Sequence, residues 1–295
     1  MKKTVFEGSG VAIVTPFNEN GVDFDVFDQL LEFNIENSTD AIIVCGTTGE
    51  SSTMPDKEHI SVIEHAVKKI NGRVPVIGGT GSNDTAHGIE LSKMAAATGV
   101  DGLLCVTPYY NKATQKGLVN HYEMIANSVD VPIIAYNVPS RTGVNIKPET
   151  ALELSKIENI VGIKEASGDI VQAMEIHKLC GDDFAIYSGN DDIIVPLMSV
   201  GAKGVISVLA NVAPKATHDM CKACLDGNFA EGASLQYKYL NLIKALFSEV
   251  NPIPVKAALK LMGFDTGILR MPLTEMEDKN LEILKAEMKK CGIIA

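Results

Sequence analysis

Positive charge is scarce in this chain: 26 lysines and arginines face 37 aspartates and glutamates over 295 residues, a formal net charge of -11. A field of that sign repels phosphate backbones and anionic headgroups, so neither a nucleic-acid nor a membrane partner is expected. A disulfide framework is also lacking. The six cysteines have no framework spacing, and Cys45 and Cys105 sit in apolar runs, where a thiol acts as a small buried hydrophobe. No apolar run is long enough to span a bilayer. Met1-Lys2-Lys3 imitates the start of an export signal, but Glu7, Pro16 and Asn18 break the apolar stretch that should follow. A reducing cytoplasm is the expected location.

Two site signatures are missing as well. No Gly-x-Gly-x-x-Gly turn follows the first strand-like run; Gly79-Thr80-Gly81-Ser82 comes nearest and lacks the third glycine. The six histidines show no His-Glu-x-x-His spacing, and His121, His177 and His218 read as helix-surface residues. Cys221-x-x-Cys224 lies in a late helical stretch without a second ligand pair. No metal site is expected.

What is present is a large apolar fraction, 46%, spread evenly enough to bury a sizeable core. Short apolar runs alternate with longer amphipathic ones, the pattern of βα units around a parallel sheet. Eight strands are expected: Gly10 to Thr15, Ala41 to Cys45, Val74 to Gly78, Gly102 to Val106, Pro132 to Tyr136, Ile160 to Lys164, Phe184 to Ser188 and Gly204 to Ser207. They are nearly continuous apolar runs, as strands are when one face fills a barrel and the other meets helices. The expected fold is α/β, a (β/α)8 TIM barrel over residues 1–225. A helical extension over 226–295 follows, with helices at Phe229 to Val250, Pro254 to Met262 and Glu275 to Lys290. Such a layer should add surface away from the barrel mouth.

Barrel active sites lie at the C-terminal ends of the strands. Polar residues there include Thr47 and Thr48, Tyr109 and Tyr110, Tyr136, Arg141 and Lys164. Lys164 ends an apolar strand, and an amine withdrawn from water is favoured in its neutral, nucleophilic form, which attacks ketones. A pair with Glu165, or a head reaching solvent, is the plain alternative. Tyr136 ends the neighbouring strand, where a phenol can shuttle protons, unless it is only a satisfied core tyrosine. Cys45-Gly46-Thr47-Thr48-Gly49-Glu50 offers two hydroxyls and turn amides suited to a small carboxylate, or a helix-capping turn. Arg141, between Pro139 and Gly143, is either a carboxylate grip or a solvated arginine.

Four segments, Gly46-Thr47-Thr48-Gly49-Glu50, Pro108-Tyr109-Tyr110-Asn111, Tyr136-Asn137-Val138-Pro139-Ser140-Arg141-Thr142-Gly143 and Gly162-Ile163-Lys164-Glu165, together resemble the dihydrodipicolinate synthase family. Gly204-Val205-Ile206-Ser207 and Asn251-Pro252-Ile253-Pro254-Val255-Lys256 fall in the same order, so the resemblance covers nearly the whole chain. It implies condensation of pyruvate with L-aspartate semialdehyde through an imine on Lys164, with no metal or organic cofactor. It further implies a proton relay of Thr47, Tyr110 and Tyr136, with Tyr110 reaching into a neighbouring subunit's site. Thr48, Gly189 and the Ile206 carbonyl would hold pyruvate, and Arg141 the semialdehyde carboxylate. A homotetramer built as a dimer of dimers is implied too. N-acetylneuraminate and ketodeoxygluconate aldolases look similar around the lysine, but Arg141 sets this chain apart. A noncatalytic metabolite-binding regulatory barrel is a further alternative, opposed by the intact set Lys164, Tyr136, Tyr110 and Thr47.

Relatives inhibited by lysine bind it at a dimer-interface site, which Ser51, His59, Asn83 and Tyr109 resemble. Asp56 stands where lysine-sensitive members have a histidine, and His87 where a carboxylate would meet the ligand's ammonium group. Weak or absent inhibition by lysine is therefore expected.

Overall fold

Strands that are apolar on both faces need cover on both, and a parallel sheet closed on itself inside a ring of helices supplies it. The computed structural model, which describes residue 2 and residues 4–295, has this architecture. Its strands are β1 (Gly8–Ala12), β2 (Phe17–Asn18), β3 (Gly21–Val22), β4 (Ala41–Val44), β5 (Val76–Gly79), β6 (Gly102–Val106), β7 (Ile133–Asn137), β8 (Ile160–Glu165), β9 (Ala185–Ser188) and β10 (Gly204–Ser207). The helices are α1 (Phe24–Glu36), α2 (Asp56–Ile70), α3 (Thr85–Ala96), α4 (Gln115–Ala126), α5 (Pro139–Thr142), α6 (Pro148–Ser155), α7 (Ile170–Cys180), α8 (Ile194–Ser199), α9 (Pro214–Leu225), α10 (Phe229–Leu246), α11 (Ile253–Leu261) and α12 (Asp278–Cys291). β2 and β3 form a small antiparallel hairpin, and the other eight strands close a parallel barrel in chain order, β10 pairing back onto β1.

Local chemistry sets the element ends. Asp23, Asp84, Thr114 and Asp169 each accept a backbone N–H of the first turn of α1, α3, α4 and α7. The first ladder runs Gly8–Ala12 rather than Gly10 to Thr15, because Val14 donates its amide to Asn211 Oδ1 and the Thr15 hydroxyl bonds the Gly49 carbonyl. The third begins at Val76, after Pro75, which has no amide to give.

One apolar cluster lies between strands and helices, and a second fills the cylinder, with Ile43, Ile77, Leu104, Ile134 and Ile206 buried inside. Phe6 and Tyr187 stack at 4.4 Å in this inner cluster, and the Tyr187 hydroxyl donates to the Phe6 carbonyl at 2.7 Å. The β7–β8 ladder carries one irregularity: Ile133 pairs with Ile160 but Ile134 with Gly162, so Val161 is an extra residue in β8. Gly162 is required there, since a Cβ would lie 2.4 Å from the Ala185 carbonyl oxygen.

The C-terminal layer does not lie wholly away from the mouth, as expected above: α10 packs against α8 and α9, but the segment joining it to α11 roofs the cavity. Phe247 and Asn251, between α10 and α11, line the cavity beneath. The anchor is Lys256 on α11, 1% exposed, which donates to Glu50 Oε1 (2.8 Å) and to the carbonyls of Thr15 (3.1 Å) and Ile268 (2.8 Å). Glu50 Oε2 accepts the Arg270 amide at 3.1 Å. Burial pulls the Lys256 ammonium below its usual range, and Glu50 opposes that pull. Among the described residues no helix is long and apolar enough to cross a membrane. Cys221 and Cys224 are both buried on α9, with burial pushing their thiols up.

His177 and His218 are partly exposed, as expected, but His121 is not on the helix surface. It is 4% exposed on α4, its Nδ1 2.9 Å from the Thr85 hydroxyl and its ring edge-on to Tyr122 at 5.4 Å. Helical periodicity alone does not tell a small polar ring facing a neighbouring helix from one facing water. Burial depresses its pKa to about 4. Above its ordinary value near 6.5 the ring is neutral folded or unfolded; between 6.5 and 4 the unfolded chain binds a proton that the folded chain refuses. Stability should therefore fall as pH drops through this window, by about 3 kcal/mol in all, and level off below it. Urea unfolding of wild type and His121→Gln at several pH values checks this, and identical profiles would rule the histidine out.

Candidate active site

Alternation along β8 sends Lys164 and Glu165 to opposite faces. Glu165 points outward and is held by Asn137, Gln172 and the Ser167 amide, so it is not the partner of Lys164. Lys164 points inward, is 6% exposed, and holds its Nζ 4.4 Å from the centre of the Tyr136 ring. The extra residue at Val161 makes this meeting possible, because it brings Tyr136 and Lys164 into register across the ladder. Gly189, after β9, leaves room for the lysine stem: a Cβ there would come within 3.1 Å of Lys164 Cε and 2.5 Å of Ala166 Cβ.

Above the amine lies a cavity of about 180 Å³. Thr47, Thr48, Tyr136, Arg141, Lys164 and Gly189, all singled out from the sequence, line it together. Arg141 is carried by α5, whose end turns at Gly143 in the left-handed region (φ 73°), and its guanidinium donates to the Asn251 carbonyl at 3.4 Å. Two expected residues stand apart. Ile206 is 1% exposed within the barrel interior, behind the cavity wall, and Tyr110 is 89% exposed with a left-handed backbone (φ 73°).

Sequence reasoning missed three contributors. Asn251 donates from Nδ2 to the Thr48 hydroxyl oxygen at 3.0 Å, which leaves the Thr48 proton free for a ligand. Asn190 lines the same cavity. Asp191 is fully buried, accepts the amides of Val208 and Leu209 on Oδ2 at 3.0 and 2.8 Å, and has its pKa raised by burial against the opposing pull of those bonds, the Ser207 hydroxyl and the Lys164 charge. The one sequence signal for them is the Asn251-Pro252-Ile253-Pro254 segment, which falls in the family order.

A second cavity, about 360 Å³, shares Thr47, Tyr136 and Arg141 with the first. Ser51, Asp56, His59, His87 and Tyr109 line it, whereas Asn83 does not and gives its carbonyl to Asn111 Nδ2 at 3.0 Å. Asp56 and His87 face each other, the carboxylate oxygens 3.0 and 3.1 Å from Nε2, while His87 Nδ1 meets the Ser82 hydroxyl at 3.0 Å. His59 Nε2 lies 2.7 Å from the Gly79 carbonyl, and burial lowers its pKa.

A parallel barrel with one buried amine at its mouth, a phenol against it and an arginine above defines a lyase of the imine-forming, class I type. The match to known proteins narrows this class. Residues 5–291 match the model of the dihydrodipicolinate synthetase family, and the chain belongs to that family. It is 58% identical over 294 residues to the 4-hydroxy-tetrahydrodipicolinate synthase of Acetivibrio thermocellus, covering 100% of both chains. Among solved structures it resembles the chloride-inhibited dihydrodipicolinate synthase of Acinetobacter baumannii complexed with pyruvate (46% identity, 99% and 100% of the two chains, TM-score 0.96). It also resembles the enzyme of Cyanidioschyzon merolae with lysine bound (40% identity, 99% and 100% covered, TM-score 0.96).

Proposed function

We propose that this chain is a 4-hydroxy-tetrahydrodipicolinate synthase, condensing pyruvate with L-aspartate semialdehyde on the way to diaminopimelate and lysine. The observation that carries the reading is the inward, buried Lys164 held against Tyr136 beneath Arg141. Nζ attacks the pyruvate ketone, and the carbinolamine loses water to give an imine, with Tyr136 and Thr47 passing protons. Thr48, its hydroxyl oxygen occupied by Asn251, donates its proton to the pyruvate carboxylate, with Gly189 and the Ile206 carbonyl completing the site. Loss of a methyl proton gives the enamine, which attacks the aldehyde carbon; the aldehyde oxygen becomes the product hydroxyl. The semialdehyde's amino group then adds to the imine carbon, closes the ring and releases Lys164. Arg141 grips the semialdehyde carboxylate, a local positive charge that an acidic molecule needs for an acidic substrate.

Tyr110 completes the relay in the neighbouring subunit's site, a role supported by its outward exposure at the mouth of a barrel whose own cavity it does not line. Assembly is then part of catalysis, and a homotetramer arranged as a dimer of dimers provides it. Six cysteines free of disulfides suit a cytoplasmic enzyme. The second cavity is a lysine site altered in this chain: His87 is a donor or a cation where a carboxylate would meet the ligand's ammonium group, and Asp56 is already engaged with it. Loss of that partner should weaken lysine binding by ~1–3 kcal/mol.

Borohydride added with pyruvate should fix a three-carbon adduct on Lys164, absent in Lys164→Ala, whose turnover should drop by about 10³-fold or more. An unmodified Lys164 while product accumulates would refute the imine. Turnover with aspartate semialdehyde should exceed that with N-acetylmannosamine or glyceraldehyde. Mixing dissociated Tyr110→Phe and Lys164→Ala subunits should yield activity well above either parent, because one site of each hybrid is intact; no recovery would place Tyr110 outside the neighbour's site. Lysine titration of the initial rate should show no inhibition at micromolar concentrations, and strong inhibition there contradicts the altered-site reading.

A further inference from the structure

Behind the catalytic face of β7 and β8 lies a buried polar cluster that the chemistry above does not use. Glu165, 2% exposed, accepts Asn137 Nδ2 (2.9 Å) and Gln172 Nε2 (3.1 Å) on Oε2 and the Ser167 amide (2.6 Å) on Oε1. Asn137 Nδ2 also donates to Asn145 Oδ1 at 2.7 Å, and Asn145 Nδ2 to Gln172 Oε1 at 2.6 Å. The Ile146 amide closes the loop on Asn137 Oδ1 at 2.9 Å. Three members adjoin what the site needs: Asn137 follows Tyr136, Glu165 follows Lys164, and Asn145 lies just past α5, which carries Arg141.

A buried carboxylate with no cation against it is a costly way to fasten two strands that apolar contacts would hold, unless its several acceptor positions do something packing does not. Here one carboxylate at the end of β8 collects donors from the end of β7, from the turn after β8 and from α7. We propose that Glu165 is a positioning residue, fixing the ends of β7 and β8 so that the Lys164 amine stays against Tyr136 and the Arg141 loop stays closed over the cavity. The inference rests on the imine chemistry proposed above. Glu165 itself touches no substrate, being on the outer face of the strand.

In the full-length chain, Glu165→Gln offers N–H groups to neighbours that are themselves donors. Its kcat should fall about 30-fold, since an angstrom of misplacement at a reacting group costs up to ~10²-fold. The rate of forming the borohydride-trapped pyruvate adduct on Lys164 should fall in step, with KM for pyruvate changing less than about 3-fold. The exchange variant Glu165→Gln/Gln172→Glu returns a carboxylate to the cluster and should recover kcat to within about 3-fold of wild type. Gln172→Ala, which removes one donor from a helix outside the barrel wall, is the milder variant, and its loss of kcat should be smaller and in the same direction. A lowered unfolding midpoint with wild-type kcat in the folded fraction would overturn the proposal, as would an exchange variant that regains the midpoint and not the rate. An adduct present in wild type and formed as fast in Glu165→Gln also defeats it, while leaving the imine reading intact.

Discussion

One extra residue in β8, opposite the step from Ile133 to Ile134, governs the chemistry of the barrel mouth. Side chains along a strand alternate, so a change of one residue in the pairing of two strands exchanges every inward side chain for an outward one beyond that point. With Val161 accommodated, Gly162 and Lys164 face the interior level with Ile134 and Tyr136. Without it, Ile163 would be beside Tyr136, the amine would turn to the outer face and Glu165 would point into the barrel. The absent side chain of Gly162 lets the strand pass close to the Ala185 carbonyl. The polar cluster around Glu165 fastens the same two strands at their other end.

The roof depends on a different interaction. Lys256 and Glu50 form an ion pair with almost no exposure, and every hydrogen-bonding hydrogen of the ammonium has an oxygen partner. Such a pair contributes little net stability over an apolar contact, but removing one partner strands a buried charge, so it specifies one way for α11 to dock. Docked that way, the segment just before α11 brings Asn251 to Thr48 and to the Arg141 guanidinium. The carboxylate of the Gly-Thr-Thr-Gly-Glu turn thus anchors the helices, while the turn's hydroxyls face the cavity.

Charge is arranged in the same economical way. The molecule is strongly acidic overall, yet the basic side chains on the cavity wall, Lys164 and Arg141, stand among otherwise uncharged lining groups. Arg141 is exposed, but at contact distance its guanidinium acts on a carboxylate more strongly than surface charges more than a screening length away. Asp191, buried nearby, accepts two backbone amides on one oxygen and does not line the cavity.

Much of this was legible in the residues alone. Apolar runs such as Ile160-Val161-Gly162-Ile163 leave a chain few options besides buried parallel strands, and a lysine at the end of one has to face the mouth or the helices. Thr47, Thr48, Tyr136, Arg141 and Lys164 could be named because strand ends and tight turns are local features, set by neighbours in sequence. The outward turn of Glu165, the burial of His121, the contact of Asn251 with Thr48 and the one-residue slip that sets Tyr136 level with Lys164 could not. Each depends on how segments far apart in the chain meet: which strand slips by one, which helix face docks, which loop folds back over the barrel. Sequence determined the elements and the chemical groups they carry; long-range packing decided which groups share a cavity, because register and docking are fixed by the summed burial of the whole core.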